Sequence, residues 1–518
     1  MAVNPPQPGV RHPRMGMRTV LTVLGPALAF AITTVDPVLL TLNLPEISRG
    51  LHVPPAQVGL LGSAATLVVA AAVLAVGNLG DSYGLKRLLI YGLAATIVFQ
   101  LLAALSPNHW FLLAMRFADG FALTALLGLS LALLTVSVPD EFRPTAIGIF
   151  LASQATLYGI SPLLGGWVVG AAGWRWLFVI TPPLALVALL LTARYVPDPP
   201  RRPARPVDVT GVCLFGLALL SLVYGISAAQ NGFASPRTWV PLVIAAVGFA
   251  TFLWHERRAR HPALDLSLFT RSDFVAATLA VLTFNFLVAG LGVILGRFGG
   301  LILGLPPRAV GLLYLPGTVL LAVTSVLTGR MVLRHGARRV LLTGLLVMIA
   351  GGLVVAFGAS PVMALWLLIL ATWLINLGSF VTATPASDTI LARATPADAG
   401  AVAAVQPTFG MTGYALGPTI YILLLNLFFH REWVADARTA GESVQQAQSG
   451  VDAVRSSLAT SPGTPKFDPN LVQQRTGLAL DLDYTNGVRL TMLVVTLLPV
   501  AVAILVFFAM PRRRRTRK

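Results

Sequence analysis

The chain has 518 residues, of which 56% are hydrophobic and only 11% are charged, and its mean hydropathy is +0.79. A soluble domain carries about 25% charged residues, so this chain lacks the polar surface to face water all round, and its near-continuous apolar blocks point to one bundle in a bilayer. The net charge of +17 sits mostly in short loops and at the two ends, a pattern that orients a protein in a membrane and contacts anionic lipid headgroups; it argues against nucleic acid as a partner.

Further classes fall on residue counts. Cys213 is the only cysteine, which excludes an intrachain disulfide and a cysteine metal site, and the seven histidines show no metal-ligand spacing. No G-x-x-x-x-G-K-[ST] phosphate loop occurs, so ATP is not the expected direct energy source. Neither an enzyme, a metal nor a cofactor is expected. Lysine occurs only as Lys86, Lys466 and Lys518, every other basic side chain being arginine, the bias of a GC-rich bacterial genome.

A membrane span needs about twenty mostly apolar residues. Arg11, Arg14 and Arg18 precede a first apolar stretch, 19–44, that is long enough to span and is followed by no small-x-small cleavage pattern, so it reads as a span and not as a leader. Further spans are predicted over 58–80, 88–105, 111–136, 144–170, 175–195, 209–230, 239–254, 274–298, 309–330, 340–358, 363–387, 400–429 and 488–510. Fourteen spans put both termini on one side. That side carries most of the 37 basic residues, among them Arg201, Arg202, Arg205, Arg257, Arg258, Arg260 and the tail from Arg512 to Lys518, so both ends are expected in the cytoplasm. The long segment 430–486 is too polar to span and is expected to form an exterior cap.

The chain also repeats itself. GNLGDSYGLKR (77–87) follows the second span and GRMVLRHGARR (329–339) the tenth, each with a glycine, a second glycine seven positions on, then two basic residues. A repeat at this offset divides the chain into two six-helix bundles, 19–195 and 273–510, with a linker region of two extra helices at 196–272 and tails at 1–18 and 511–518. Two facing bundles are the architecture of transporters that hold substrate between them.

Gly77-x-Leu79-x-Asp81-x-x-Gly84-x-Lys86-Arg87 has a legible physics. Gly84 permits a tight turn, Asp81 lies by the positive start of the third helix, and Lys86 with Arg87 is expected at the lipid phosphate level. The segment resembles the cytoplasmic loop signature of the major facilitator superfamily, in which it latches the cytoplasmic side; a plain turn with orienting charges is the alternative. The second copy has Leu333 in place of the aspartate. VDPVLLTLNLPEI (35–47) is similar to the first-helix signature of fourteen-span drug:proton antiporters. Arg116-x-x-x-Gly120 resembles their proton-coupling motif, and Gly159-x-Ser161-Pro162-x-x-Gly165-Gly166 their antiporter motif, which seals the bundle against proton leak. Trp174-Arg175-Trp176-x-Phe178, VDVTG (207–211) and HERRARHPALDLSLF (255–269) fit the same branch. Three positions depart from it: Asp119 stands where that family usually has Gln, Ser161 where it has Gly, and Pro37 follows Asp36 directly.

Of twenty acidic residues, Asp36 and Asp119 are the two predicted well inside spans, where an ion needs a partner or a purpose. Arg116 and Asp119 are three apart and share a helix face. Asp36, Asp119 and Arg116 are therefore the expected proton-coupling group, the alternative being a static neutralised pair with Asp36 as a polar contact. Gly159, Pro162, Gly165 and Gly166 are expected to let helices approach closely. Asn285, Asn376 and Arg297 are candidate substrate contacts, although Arg297 at a helix end can equally snorkel to headgroups.

The resemblance implies an all-α membrane protein of the major facilitator fold, functional as a monomer in the cytoplasmic membrane, exchanging protons for an amphipathic organic molecule or drug. A dedicated exporter of an endogenous metabolite, siderophore or lipid, and a non-transporting receptor of the same fold, are the alternatives.

Overall fold

Hydrocarbon offers no hydrogen-bond partner to a backbone N–H or C=O, so an apolar chain of this length must close those bonds within helices. The computed structural model describes residues 15–200, 207–314 apart from 234 and 261, 324, 327–332, 334–392, 399–439 and 480–510; among them there is no strand. The helices are α1 Met17–Gly50, α2 Pro55–Tyr83, α3 Leu85–Ala104, α4 His109–Ser137, α5 Arg143–Ala172, α6 Leu177–Tyr195, α7 Val209–Ala228 and α8 Pro236–Glu256. They continue with α9 Ser272–Ile294, α10 Pro307–Leu312, α11 Ala337–Gly358, α12 Leu365–Leu391, α13 Ala399–Thr439 and α14 Leu480–Ala509.

Among the described residues thirteen helices are long and apolar enough to cross a membrane. The tenth predicted span, 309–330, opens with α10 and is helical again at 327–332, its remainder lying outside the described residues. α9 continues as a wider π-helical turn, Leu295–Ile302.

Several helices outrun their apolar windows. α1 reaches Gly50, α13 reaches Thr439 and α14 starts at Leu480, so both ends of the expected 430–486 loop are helical. Asp481 and Asp483 in the first turn of α14 favour its positive end, which carries the helix past the apolar region. The expected cap itself, 440–479, and the tails 1–14 and 511–518 lie outside the described residues.

Contacts at the helix ends follow the alternation within each half. Where α1 starts and α6 stops, the Thr22 hydroxyl donates to Tyr195 O (3.1 Å), and where α9 starts and α14 stops, Ser272 donates to Ala509 O (3.5 Å). On the far face, Arg175 donates to Ser106 O (3.1 Å) and Arg489 to Ala359 O (2.7 Å).

In lipid, helices associate through small residues that let backbones close up. A Cβ on Gly120 of α4 would lie 2.7 Å from Ala65 O of α2, one on Gly92 of α3 2.9 Å from the Ala125 methyl of α4, and one on Gly378 of α12 2.6 Å from Gly344 O of α11. α1–α6 pack on one another, and α9 packs with α12, α13 and α14. The α7–α8 pair joins through Gly225 against Leu242 and rests on α2 at Gly216 and Ala71. The VDVTG and HERRARHPALDLSLF segments build its connection. Asp208 caps α7 through Gly211 N (2.9 Å) and pairs with His255 Nε2 (2.9 Å), Glu256 accepts from Leu264 N (3.1 Å), and Asp265 caps the 3-10 turn Leu266–Thr270.

The internal repeat has a backbone counterpart. Gly84 (φ +98°) and Gly336 (φ +84°) both turn in the left-handed region, where a Cβ is strained.

Candidate functional site

Three helices, α1, α3 and α4, deliver one buried polar cluster to the apolar interior. Arg116 lies seven residues into α4, about 10 Å along its axis from the far face. Its guanidinium grips Asp36 of α1 with both terminal nitrogens, Nη2 to Oδ2 at 2.6 Å and Nη1 to Oδ1 at 2.9 Å, and touches Asp119 Oδ2 at 3.3 Å. Arg116 and Asp119 are each 1% exposed and Asp36 is 4% exposed. The sequence marked these three as one group, and the fold brings them into direct contact.

A fourth member was not anticipated. Gln100 of α3, 1% exposed, donates through Nε2 to Asp36 Oδ1 (2.6 Å) and to Asp119 Oδ2 (2.7 Å). The available signal was a lone amide in the apolar run LAATIVFQLLAA; a buried polar group needs a partner in hydrocarbon, and only packing names it.

α1 is continuous through Pro26, Pro37 and Pro45. Pro37 cannot donate to the carbonyl one turn back, yet the turn after Asp36 is intact and the Thr41 hydroxyl donates to Pro37 O (2.7 Å). The cluster holds one cation against two carboxylates. Such an arrangement can bind a proton, or exchange it when the helices part.

Below and beside the cluster the two halves meet most closely toward the far face. Gly166 of α5 sits against the Pro307 carbonyl and Gly311 of α10 against the Pro162 carbonyl. Cβ atoms on Gly59 and Gly62 of α2 would lie 3.0 Å from Thr419 and 3.7 Å from Pro418 of α13, and one on Gly292 of α9 3.0 Å from Thr41. Gly165 faces inward, onto Leu39 and Asn43 of α1. Gly159 is buried in α5. Next to it, the Tyr158 hydroxyl donates to Asn376 Oδ1 of α12 (2.7 Å), a bond that crosses between the halves and that sequence reasoning missed.

The candidate substrate contacts separate. Asn376 lies at this crossing, 4% exposed. Asn285 donates to Val281 O of its own helix (3.0 Å) and faces Gly410 of α13. Arg297, in the π-helical turn, is half-buried beside Tyr484 of α14. Asn285 and Arg297 thus meet partners within the second half.

In the loop signature Lys86 has partners within the protein: its ammonium donates to Ala193 O (2.9 Å) and Val196 O (2.6 Å) at the end of α6. Unpaired carbonyls and the negative helix end draw it there. Arg87 is 3.7 Å from Asp198, both about half exposed, a pair worth little in water. Gly77 is exposed with open space around it. Asp81 belongs to the last turn of α2; its side chain lies outside the described residues.

Residues 25–418 match the Major Facilitator Superfamily. The chain is 29% identical over 495 residues to the multidrug resistance protein Stp of Mycobacterium tuberculosis, covering 93% of this chain and 90% of that protein. It is 26% identical over 493 residues to the multidrug efflux pump LfrA of Mycolicibacterium smegmatis, covering 94% and 95%. Among solved structures, a bacterial homolog of the human lysosomal transporter Spinster, crystallised inward-facing and occupied, superposes with a TM-score of 0.65 at 17% identity, over 96% of this chain and 97% of that one.

Proposed function

The chain belongs to the major facilitator superfamily, and from that premise we propose that it exports amphipathic organic compounds or drugs by proton antiport through alternating access. It is a multi-pass membrane transporter and not an enzyme. The observation that carries the proton-coupled reading is the buried Asp36–Gln100–Arg116–Asp119 cluster, which carries one more negative than positive charge where water is scarce. Desolvating an unmatched charge costs several kcal/mol, so the closed cluster favours a bound proton and the open one can release it. The likeness to Stp, a multidrug resistance protein, and LfrA, a multidrug efflux pump, supports drugs as cargo.

In this reading both termini lie in the cytoplasm, and Gly166–Pro307, Gly311–Pro162 and Tyr158–Asn376 form the exterior seal of a state open to the cytoplasm. Substrate enters between the halves near Tyr158 and Asn376, and the protein works as a monomer. Gly84 and Lys86 fix the α2–α3 turn onto α6, so the first half moves as one body.

The test is transport by purified protein in proteoliposomes with an imposed pH gradient, over a panel of lipophilic cations, neutral antibiotics and lipids. Gradient-dependent movement of at least one compound, with proton flow in the opposite sense, is expected. A pH gradient that drives none of them would refute the proposal.

A further inference from the structure

The two carboxylates of the cluster are held unequally. Asp36 uses both oxygens on the Arg116 fork, at 2.6 and 2.9 Å, and Oδ1 also accepts from Gln100 at 2.6 Å. Asp119 reaches Arg116 only at 3.3 Å, through the same Oδ2 that accepts from Gln100 at 2.7 Å. Its Oδ1 is buried with no hydrogen-bond partner, as is Gln100 Oε1. A guanidinium fork matches one carboxylate bidentately, and here that fork is committed to Asp36. A buried carboxylate oxygen without a donor is destabilising unless it holds a proton of its own.

The surroundings add no second cation. The charged groups facing Asp119 are Asp36 from α1 and Arg116 from its own helix, while α3 presents the neutral Gln100 and Thr96. α2 meets α4 here at Ala65 and Val68, beside Gly120. Tyr414 of α13 faces Asp36. One cation and two carboxylates become neutral on taking up one proton.

We infer that the cluster binds a single proton, that it sits on Oδ1 of Asp119 while Asp36 stays ionised on Arg116, and that Gln100 is the positioning residue that holds Asp119 for it. The inference rests on the proton-coupled reading above and sharpens it: the acid in the first helix is the fixed counter-ion, and the carrier is the aspartate that stands where the related antiporters usually have glutamine. Protonation changes the cluster from one net negative charge to none, with water as the source of the proton and nothing else exchanged.

The test is pH-difference infrared spectroscopy on the full chain reconstituted in lipid, which needs no substrate. One protonated-carboxyl stretch should appear as the pH is lowered. Asp119→Glu should shift that band to the glutamic acid position, and Asp36→Glu should leave it in place. A band that follows Asp36→Glu, that moves with both variants, or that never appears overturns the assignment. Gln100→Leu keeps both carboxylates and removes a donor to ionised Asp119, so the band's midpoint should move to higher pH by about one unit or more; an unmoved midpoint overturns the positioning role, whether or not the aspartate variants fold. Transport has a separate outcome: a pH gradient that moves no compound refutes the exporter, while the band still says which carboxyl takes the proton.

Discussion

Replacing Arg116 with leucine removes the one cation from a site with two carboxylates. The side chain makes contacts of 2.6, 2.9 and 3.3 Å and is 1% exposed. At an effective dielectric near 20, each ion pair is worth about 4 kcal/mol at 4 Å separation, against which stands the desolvation of the guanidinium. Breaking a buried pair by deleting one partner generally costs about 3–5 kcal/mol, because the remaining charge stays buried. Arg116→Leu should therefore destabilise the reconstituted protein by about 3–5 kcal/mol at neutral pH, read by unfolding in mixed micelles.

The pH dependence carries the sign. In the variant two buried carboxylates face each other with no cation between them, so acid, which neutralises carboxylates, should relieve the loss and base should not. The gap to wild type should narrow in acid. Adding Asp36→Asn and Asp119→Asn to Arg116→Leu leaves a neutral site and should restore most of the loss. A loss under about 1 kcal/mol at neutral pH, or one that widens as the pH is lowered, would refute the reasoning.

Other consequences are equally open to measurement. Gly84→Ala forces a Cβ into a φ of +98° and should lower unfolding stability by about 1–2 kcal/mol, whereas Gly77→Ala, with open space around it, should change it by under about 0.5 kcal/mol. Gly166→Val drives a side chain into the Pro307 carbonyl; labelling of a cysteine near position 307 from the far face should rise and transport should fall at least tenfold on the order of a lost close packing, while unchanged labelling would contradict the seal. Asp208→Ala removes the α7 cap and the His255 partner and should cost about 1–2 kcal/mol, detectable as earlier proteolysis between α8 and α9.

Much of the architecture was legible in the chain because a bilayer leaves few choices. Runs of about twenty apolar residues must be helices, so the spans and their order follow from hydropathy, and the two 77–87 and 329–339 segments foretold the paired turns at Gly84 and Gly336. Helix ends were less legible: at Gly50, Thr439 and Leu480 the helices run beyond the hydrophobic windows, since polar residues extend a helix readily once it leaves lipid.

The candidate site divides along the same line. The identity of Asp36, Arg116 and Asp119 was available from sequence, because an ion in an apolar run is rare and expensive. Their unequal pairing was not, nor was the part of Gln100, which is 64 positions from Asp36 and 19 from Asp119. Likewise Lys86 finds the end of α6, more than a hundred positions away, and Tyr158 finds Asn376 across the two halves. Hydropathy and helix geometry act over one turn or one span and can be read along the chain, but the partner of a buried polar atom is set by which helices pack together, and in this protein those helices are far apart in sequence.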